Sequence, residues 1–152
     1  MRIAILDDAL IAAWRDPPNH ARLAALVKAQ RRMLASHPGL LAFHFVLGGE
    51  TSPLTLPDAD RNEMVAVLTT LDGTSSASAI VFEGSAFFVA AWRSIMSVSL
   101  LLARPRVPTK VFGDRRRGAE WIRSLSPAWQ EAWPTTRLLD AAERVMRGLE
   151  AP

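Results

Sequence analysis

The sequence predicts an α/β fold: a mixed four- to five-stranded sheet with helices, plus a C-terminal helical extension. Three observations carry this. Residues 40–47 (LLAFHFVL) are apolar on both faces, which suits a strand covered on two sides. Residues 78–122 run strand, long apolar helix, strand and amphipathic helix with short connections, the alternation of a parallel or mixed sheet. The chain of 152 residues is long enough to bury one core without disulfides or metal.

Taken in order, residues 2–6 and 10–14 read as two short strands around Asp7 and Asp8, an antiparallel hairpin at a sheet edge, with Leu10, Ala12 and Trp14 on one face. Asp16, Pro17, Pro18 and Asn19 stop the sheet, and Asn19 or Asp16 can cap the helix that follows. That helix carries Leu23, Leu26, Val27, Gln30 and Leu34 at i, i+3, i+4 spacing and ends at Pro38 and Gly39. After the strand at 40–47 comes a loop with Gly48, Gly49, Pro53 and Pro57. Asp58 or Asp60 then caps a helix whose buried stripe is Met64, Val67, Leu68 and Leu71. Residues 79–82 form a strand, 85–103 the long helix, 109–112 a strand and 116–125 a helix with Ala119, Trp121, Ile122 and Leu125 available to pack. The α/β unit spans residues 1–125. Residues 126–152 form the extension, where Pro127 and Pro134 bracket a segment with Trp129 and Trp133, and residues 135–149 carry an apolar stripe of Leu138, Leu139, Ala142, Val145, Met146 and Leu149. The extension is expected to dock on the same chain or on a partner, and a chain truncated after Ser126 to keep a folded but aggregation-prone core.

Composition narrows the function. With no cysteine, thiol catalysis, disulfide frameworks and cysteine-ligated metals are excluded. The N-terminal residues lack the pattern of a signal peptide, so a cytoplasmic protein is expected. A formal charge of +3 is a weak signal for nucleic acid, and none is expected as a partner. The long helix approaches spanning length, but Arg93 at its middle would cost about 2.5 kcal/mol or more in a bilayer, and Ser94, Ser97 and Ser99 dilute it further. It is read as a crossover helix with most of its circumference buried, not as a membrane span.

The pattern Lys110-Val111-Phe112-Gly113-Asp114, followed by Ala119-Glu120-Trp121-Ile122, resembles the closing strand and helix of the STAS domain superfamily, in its SpoIIAA-like (anti-sigma-factor antagonist-like) branch. The long helix after Val81-Phe82-Glu83-Gly84 and the opening hairpin agree in order and length, so the likeness covers about residues 2–125. It implies a regulatory protein-protein interaction module. The Asp-Ser pair that is phosphorylated in antagonists of that branch has no counterpart here: the loop reads Gly48-Gly49-Glu50-Thr51-Ser52-Pro53, so the phosphoswitch is not carried over.

Glu50, Glu83, Ser85 and Asp114 would lie near the carboxyl ends of parallel strands, where ligands collect in open sheets. Glu83 and Asp114 each precede a helix and read better as caps that complement its dipole, as does Ser85. His44, inside an apolar strand, reads as a buried neutral imidazole with one hydrogen-bond partner, and Arg115-Arg116-Arg117 as a solvated basic turn. No catalytic, cofactor-binding or metal-ligating residue is assigned. The long helix offers the functional clue, because its least apolar stripe, Ala86, Ala90, Arg93, Ser94, Ser97 and Arg104, leaves apolar surface beside it that the C-terminal helix or a second subunit would cover. Ala90, Arg93, Ser94, Ser97, Trp129 and Trp133 are the expected interaction residues. A homodimer or protein partner is the expected occupant, and a carrier or sensor of an apolar or anionic small molecule, held between the long helix and the sheet, is the alternative.

Overall fold

A computed structural model describes residues 2–6, 9–14, 19–36, 40–47, 57–70, 72 and 75–148. The elements are β1 (Arg2–Leu6), β2 (Ala9–Trp14), α1 (His20–Ser36), β3 (Leu40–Leu47), α2 (Asp58–Thr70), β4 (Ser75–Glu83), α3 (Ala86–Ala103), β5 (Thr109–Phe112), α4 (Arg115–Ser124), α5 (Pro127–Ala132) and α6 (Thr135–Arg147). The five strands make one sheet in sequential order, β1 antiparallel to β2 and every later pair parallel. The α/β class and the mixed five-stranded sheet expected from the sequence are present.

The connections dictate where the helices go. Each parallel crossover, through α1, α2 and then α3, advances one strand in the same direction. Right-handed crossovers that all advance the same way place their helices on the same face. The packing follows: Leu10, Ala12 and Trp14 of β2 join Leu23 and Leu26 of α1, Met64 and Leu68 of α2, and Phe88, Trp92 and Met96 of α3 in one core. The opposite residues of β2, Ala9, Ile11 and Ala13, join Phe43, Ala79 and Val81 in a second core under α4 and α6. Strand β2 is buried along its whole length, as a period-two strand between two helical layers must be.

The C-terminal segment belongs to that second layer. Leu138, Ala141, Ala142, Val145 and Met146 are buried on β1, β2 and α4, so of the two docking sites expected for the extension the same chain is the one used. Leu149 lies outside the described residues. Helix α6 therefore sits across the sheet from α3 and cannot cover it, contrary to one of the two sequence-based expectations for that helix. Arg123 ties the layer together, donating from Nη1 to Thr135 Oγ1 at 2.7 Å and from Nη2 to the Gln130 carbonyl at 2.9 Å.

Helix α3 departs from the expectation of a mostly buried circumference. Four of its eighteen residues, Phe88, Trp92, Met96 and Ser99, are buried. The reason is its position: α3 is the last helix of its layer, with α2 on one side and the edge strand β5 beneath the other.

Gly118 marks the closest approach of α4 to the sheet. A Cβ there would lie 2.9 Å from Val81 Cγ2 and 3.1 Å from Phe43 Cε2. Gly118→Ala is therefore expected to destabilise by about 1–3 kcal/mol through overpacking, more than the roughly 1 kcal/mol that alanine gains in helix propensity. Urea unfolding checks the sign, and a stabilised variant would mean that α4 can shift outward freely.

Candidate functional site

Three places could carry function: the carboxyl rim of the parallel strands, the interior beneath α1 to α3, and the outer face of α3. At the rim the sheet ends bring Glu83, Ser85 and Asp114 together, as the sequence suggests, and each has a structural task. Ser85 caps α3, its Oγ accepting from the Phe88 amide at 3.2 Å. Asp114 caps α4, accepting from the Arg117 amide at 2.8 Å. Glu83 caps too, but not the helix that follows it in sequence: it accepts from the Arg115 amide at 3.1 Å and from Arg115 Nε at 2.9 Å, thirty-two residues on. Because β4 and β5 are neighbours, the end of one meets the helix that follows the other. Arg115 is thus bound rather than solvated, with Glu143 of α6 as a second, more distant carboxylate at 3.9 Å, while Arg116 and Arg117 are exposed. The hydrogen bond to Glu83 raises the Arg115 guanidinium pKa further, so the guanidinium stays charged. Glu50, Thr51 and Ser52 lie outside the described residues.

The strand order does not reverse at this rim. In open α/β sheets ligands bind where strand order reverses and successive helices part to opposite faces. Here the parallel strands run in unbroken sequence, so the order never reverses. The helices part only at the sheet edge, where α3 after β4 and α4 after β5 lie on opposite faces, and Glu83 and Arg115 fill the gap between them. Among the described residues no three His, Asp or Glu side chains are grouped closely enough to hold a metal ion.

Beneath α1 to α3 lies an apolar cavity of about 30 Å³, lined by Trp14, Leu23, His44, Met64, Phe82 and Met96 among others. That is room for a water or two, against the roughly 300 Å³ or more of a ligand pocket. His44 is the polar group in its wall. It is 4% exposed, and its Nε2 has no hydrogen-bond partner. Gln30, also expected on the buried stripe of α1, is fully buried with neither amide atom partnered. Desolvation pushes the His44 imidazole down to about 4 from 6.5. The folded protein therefore keeps it neutral where the unfolded chain takes up a proton. Stability from this group is complete above pH 6.5 and is lost as pH falls toward 4, by about 2 kcal/mol at pH 5. Urea midpoints at pH 7 and pH 5 for the parent and for His44→Leu check this: the parent is expected to lose the extra stability and the variant is not. Equal pH slopes would overturn it.

The outer face of α3 is the remaining place. Ala90, Arg93, Ser94 and Ser97, the residues expected at an interaction surface, are all exposed and share this face. Sequence reasoning missed its width. Phe87, Val98, Leu101 and Leu102, at 58%, 50%, 74% and 59% exposure, belong to it as well. At 100° per residue these positions cover about half of the helix circumference, centred on Ser94 and Leu101. No family model matches the chain, and no curated protein or solved structure does either. The surface is thus read from its own chemistry: an apolar half-cylinder bearing one charge, Arg93, and two hydroxyls.

Trp129 and Trp133, expected to anchor the C-terminal extension, pack within the chain on the other side of the sheet from α3. Trp133 is 2% exposed in the second core, with the Arg137 guanidinium 4.3 Å above its ring, and Trp129 packs partly buried against that core. Their indole areas are consumed within the chain, which removes Trp133 from any outward-facing surface. Helix periodicity could not reveal this, because it says which stripe is buried and not against what.

Proposed function

We propose that the chain is a non-enzymatic regulatory interaction module of the cytoplasm, akin to SpoIIAA-like STAS proteins, that docks through the outer face of α3. One observation carries the reading: four large apolar side chains, each at least half exposed, on a single helix of an otherwise well-buried protein. The element order through α4, two strands in a hairpin followed by three strand-helix repeats after α1, is the order that the resemblance implies, and it supports that kinship. The capping duties of Glu83, Ser85 and Asp114 support a non-enzymatic role, since each carboxylate or hydroxyl already holds a helix end.

The absence of cysteine from the sequence makes a clean test available. Ser94→Cys places one thiol at the middle of the exposed face, and Glu120→Cys places a control on the exposed side of α4. In dilute purified protein both are expected to react freely with a maleimide. In cells Ser94→Cys is expected to be shielded while Glu120→Cys still reacts. Equal reactivity of Ser94→Cys in both settings would mean that α3 faces water permanently and would remove the docking reading.

A further inference from the structure

The docking reading leaves open what the α3 face meets, and charge complementarity decides among occupants. Residues 84–113, which contain α3 and β5, carry Arg93, Arg104, Arg106 and Lys110 and no acidic residue. All four cations are exposed, but Lys110 is paired with Ala79 and lies over Phe112 on the α4 side of the sheet, which leaves the three arginines on and next to α3. Asp72, which approaches this stretch, is engaged, its Oδ1 accepting from the Arg106 amide at 2.8 Å, and Glu83 and Asp114 at the two ends of the stretch are held as helix caps. The surface is therefore a strip of Phe87, Val98, Leu101 and Leu102 flanked by cations.

A second copy fits this pattern poorly. The self-complementary arrangement of two such helices is antiparallel, with Phe87 of one against Leu101 of the other, so that the two-fold axis passes at Ser94. It sets Arg93 of both copies on the same flank, about 3 Å apart along the seam, with no acid in residues 84–113 to separate them. Pairing through β5 is no better, since an exposed Lys110 on its four residues and Pro108 just before it are devices that discourage edge-to-edge addition.

An anionic lipid surface supplies both missing parts. Headgroup phosphates and carboxylates answer the three arginines, and the acyl boundary accepts the apolar strip, which runs about 21 Å from Phe87 to Leu101. Helix α3 is long and apolar enough by length and composition to cross a membrane. Its inner side is nevertheless fixed to the sheet by Phe88, Trp92 and Met96, so the outer half is what a bilayer can meet. We propose that the α3 face docks, lying in the plane of the interface, on an anionic membrane surface. This rests on the docking reading above and names its partner.

Sedimentation of the full chain with sucrose-loaded vesicles tests it. Vesicles of phosphatidylcholine containing roughly 30 mol% phosphatidylserine are expected to bind about tenfold or more tightly than phosphatidylcholine alone, and about 0.5 M salt is expected to remove most of the difference. Leu101→Ser and the double change Arg93→Gln with Arg104→Gln should each weaken binding at least severalfold. Both alter exposed side chains, so unchanged circular dichroism and melting would confirm that folding is intact. Equal binding to both lipids, or binding to neither, overturns the lipid assignment. If light scattering then finds a dimer that Leu101→Ser dissociates, the occupant is a second copy and the docking reading stands. If there is no dimer and Ser94→Cys reacts equally in cells and in buffer, the docking reading falls too.

Discussion

A chain ending after Ser126 is expected to lose its cooperative unfolding transition and to aggregate, a stronger effect than the apolar stripe of residues 135–149 suggests by itself. The stripe does not decorate a finished domain. It covers Ala9, Ile11 and Ala13 on β2 and closes the core that Phe43 and Val81 share with α4. Trp133, Leu138, Val145 and Met146 are each at most 8% exposed and hide area worth about 1.5–3 kcal/mol apiece, less the entropy of ordering the segment. That is large against a domain stability of about 5–15 kcal/mol. Leu138→Asp in the full chain probes the same contact without shortening it and should be similarly damaging. Circular dichroism against temperature, with light scattering on the same samples, reads the outcome. A monodisperse truncated protein that melts cooperatively would show that β2 does not need α6.

Trp92→Ala is expected to cost about 3–5 kcal/mol, the usual range for a large buried aromatic. Trp92 is fully buried and stacks on Phe82 with ring centroids 5.4 Å apart and planes 14° from parallel, while Phe88 sits tilted at 6.3 Å. This triad fixes α3 to β4 from the inside, which is why its outer half can be apolar without the helix rolling over. The indole Nε1 has no hydrogen-bond partner, so Trp92→Phe forfeits volume but no hydrogen bond and should cost less than half as much. Urea unfolding followed by far-ultraviolet circular dichroism separates the two. A loss below about 1 kcal/mol for Trp92→Ala would mean that α3 is not held by this contact.

Much of the fold was legible in the sequence, and the reasons are local. Period-two alternation identified Leu10, Ala12 and Trp14 as one face of β2, apolarity on both faces identified β3 as covered twice, and Asn19, Ser85 and Asp114 do cap the helices they precede. What escaped was pairing at a distance. Glu83 was read against the next helix, whereas strand adjacency hands it to Arg115. The outer residues of α3 were read as a narrow stripe, because a nearly uniform apolar helix has too little contrast for periodicity to choose a face. Phe87, which lies beside Ala90 and Ser94 on the same face, is 58% exposed. The hydroxyl and small residues Ala90, Ser94 and Ser97 were placed outward correctly because they supply what contrast there is.

The joining of α6 to β2 has a consequence in time. On a ribosome the strand leaves first and its cover last, with about 125 residues between Ala13 and Leu138. At roughly 5–20 residues per second that interval is on the order of ten seconds. In its last part, once α3 has been made, Ile11 and the inner residues of β4 face solvent on one side of a sheet whose other side can already be packed by α1 to α3. The nascent chain therefore passes through a half-layered stage with a sticky exposed sheet, the kind of surface that a holding chaperone recognises, and slower synthesis of residues 126–147 should lengthen its dependence on one.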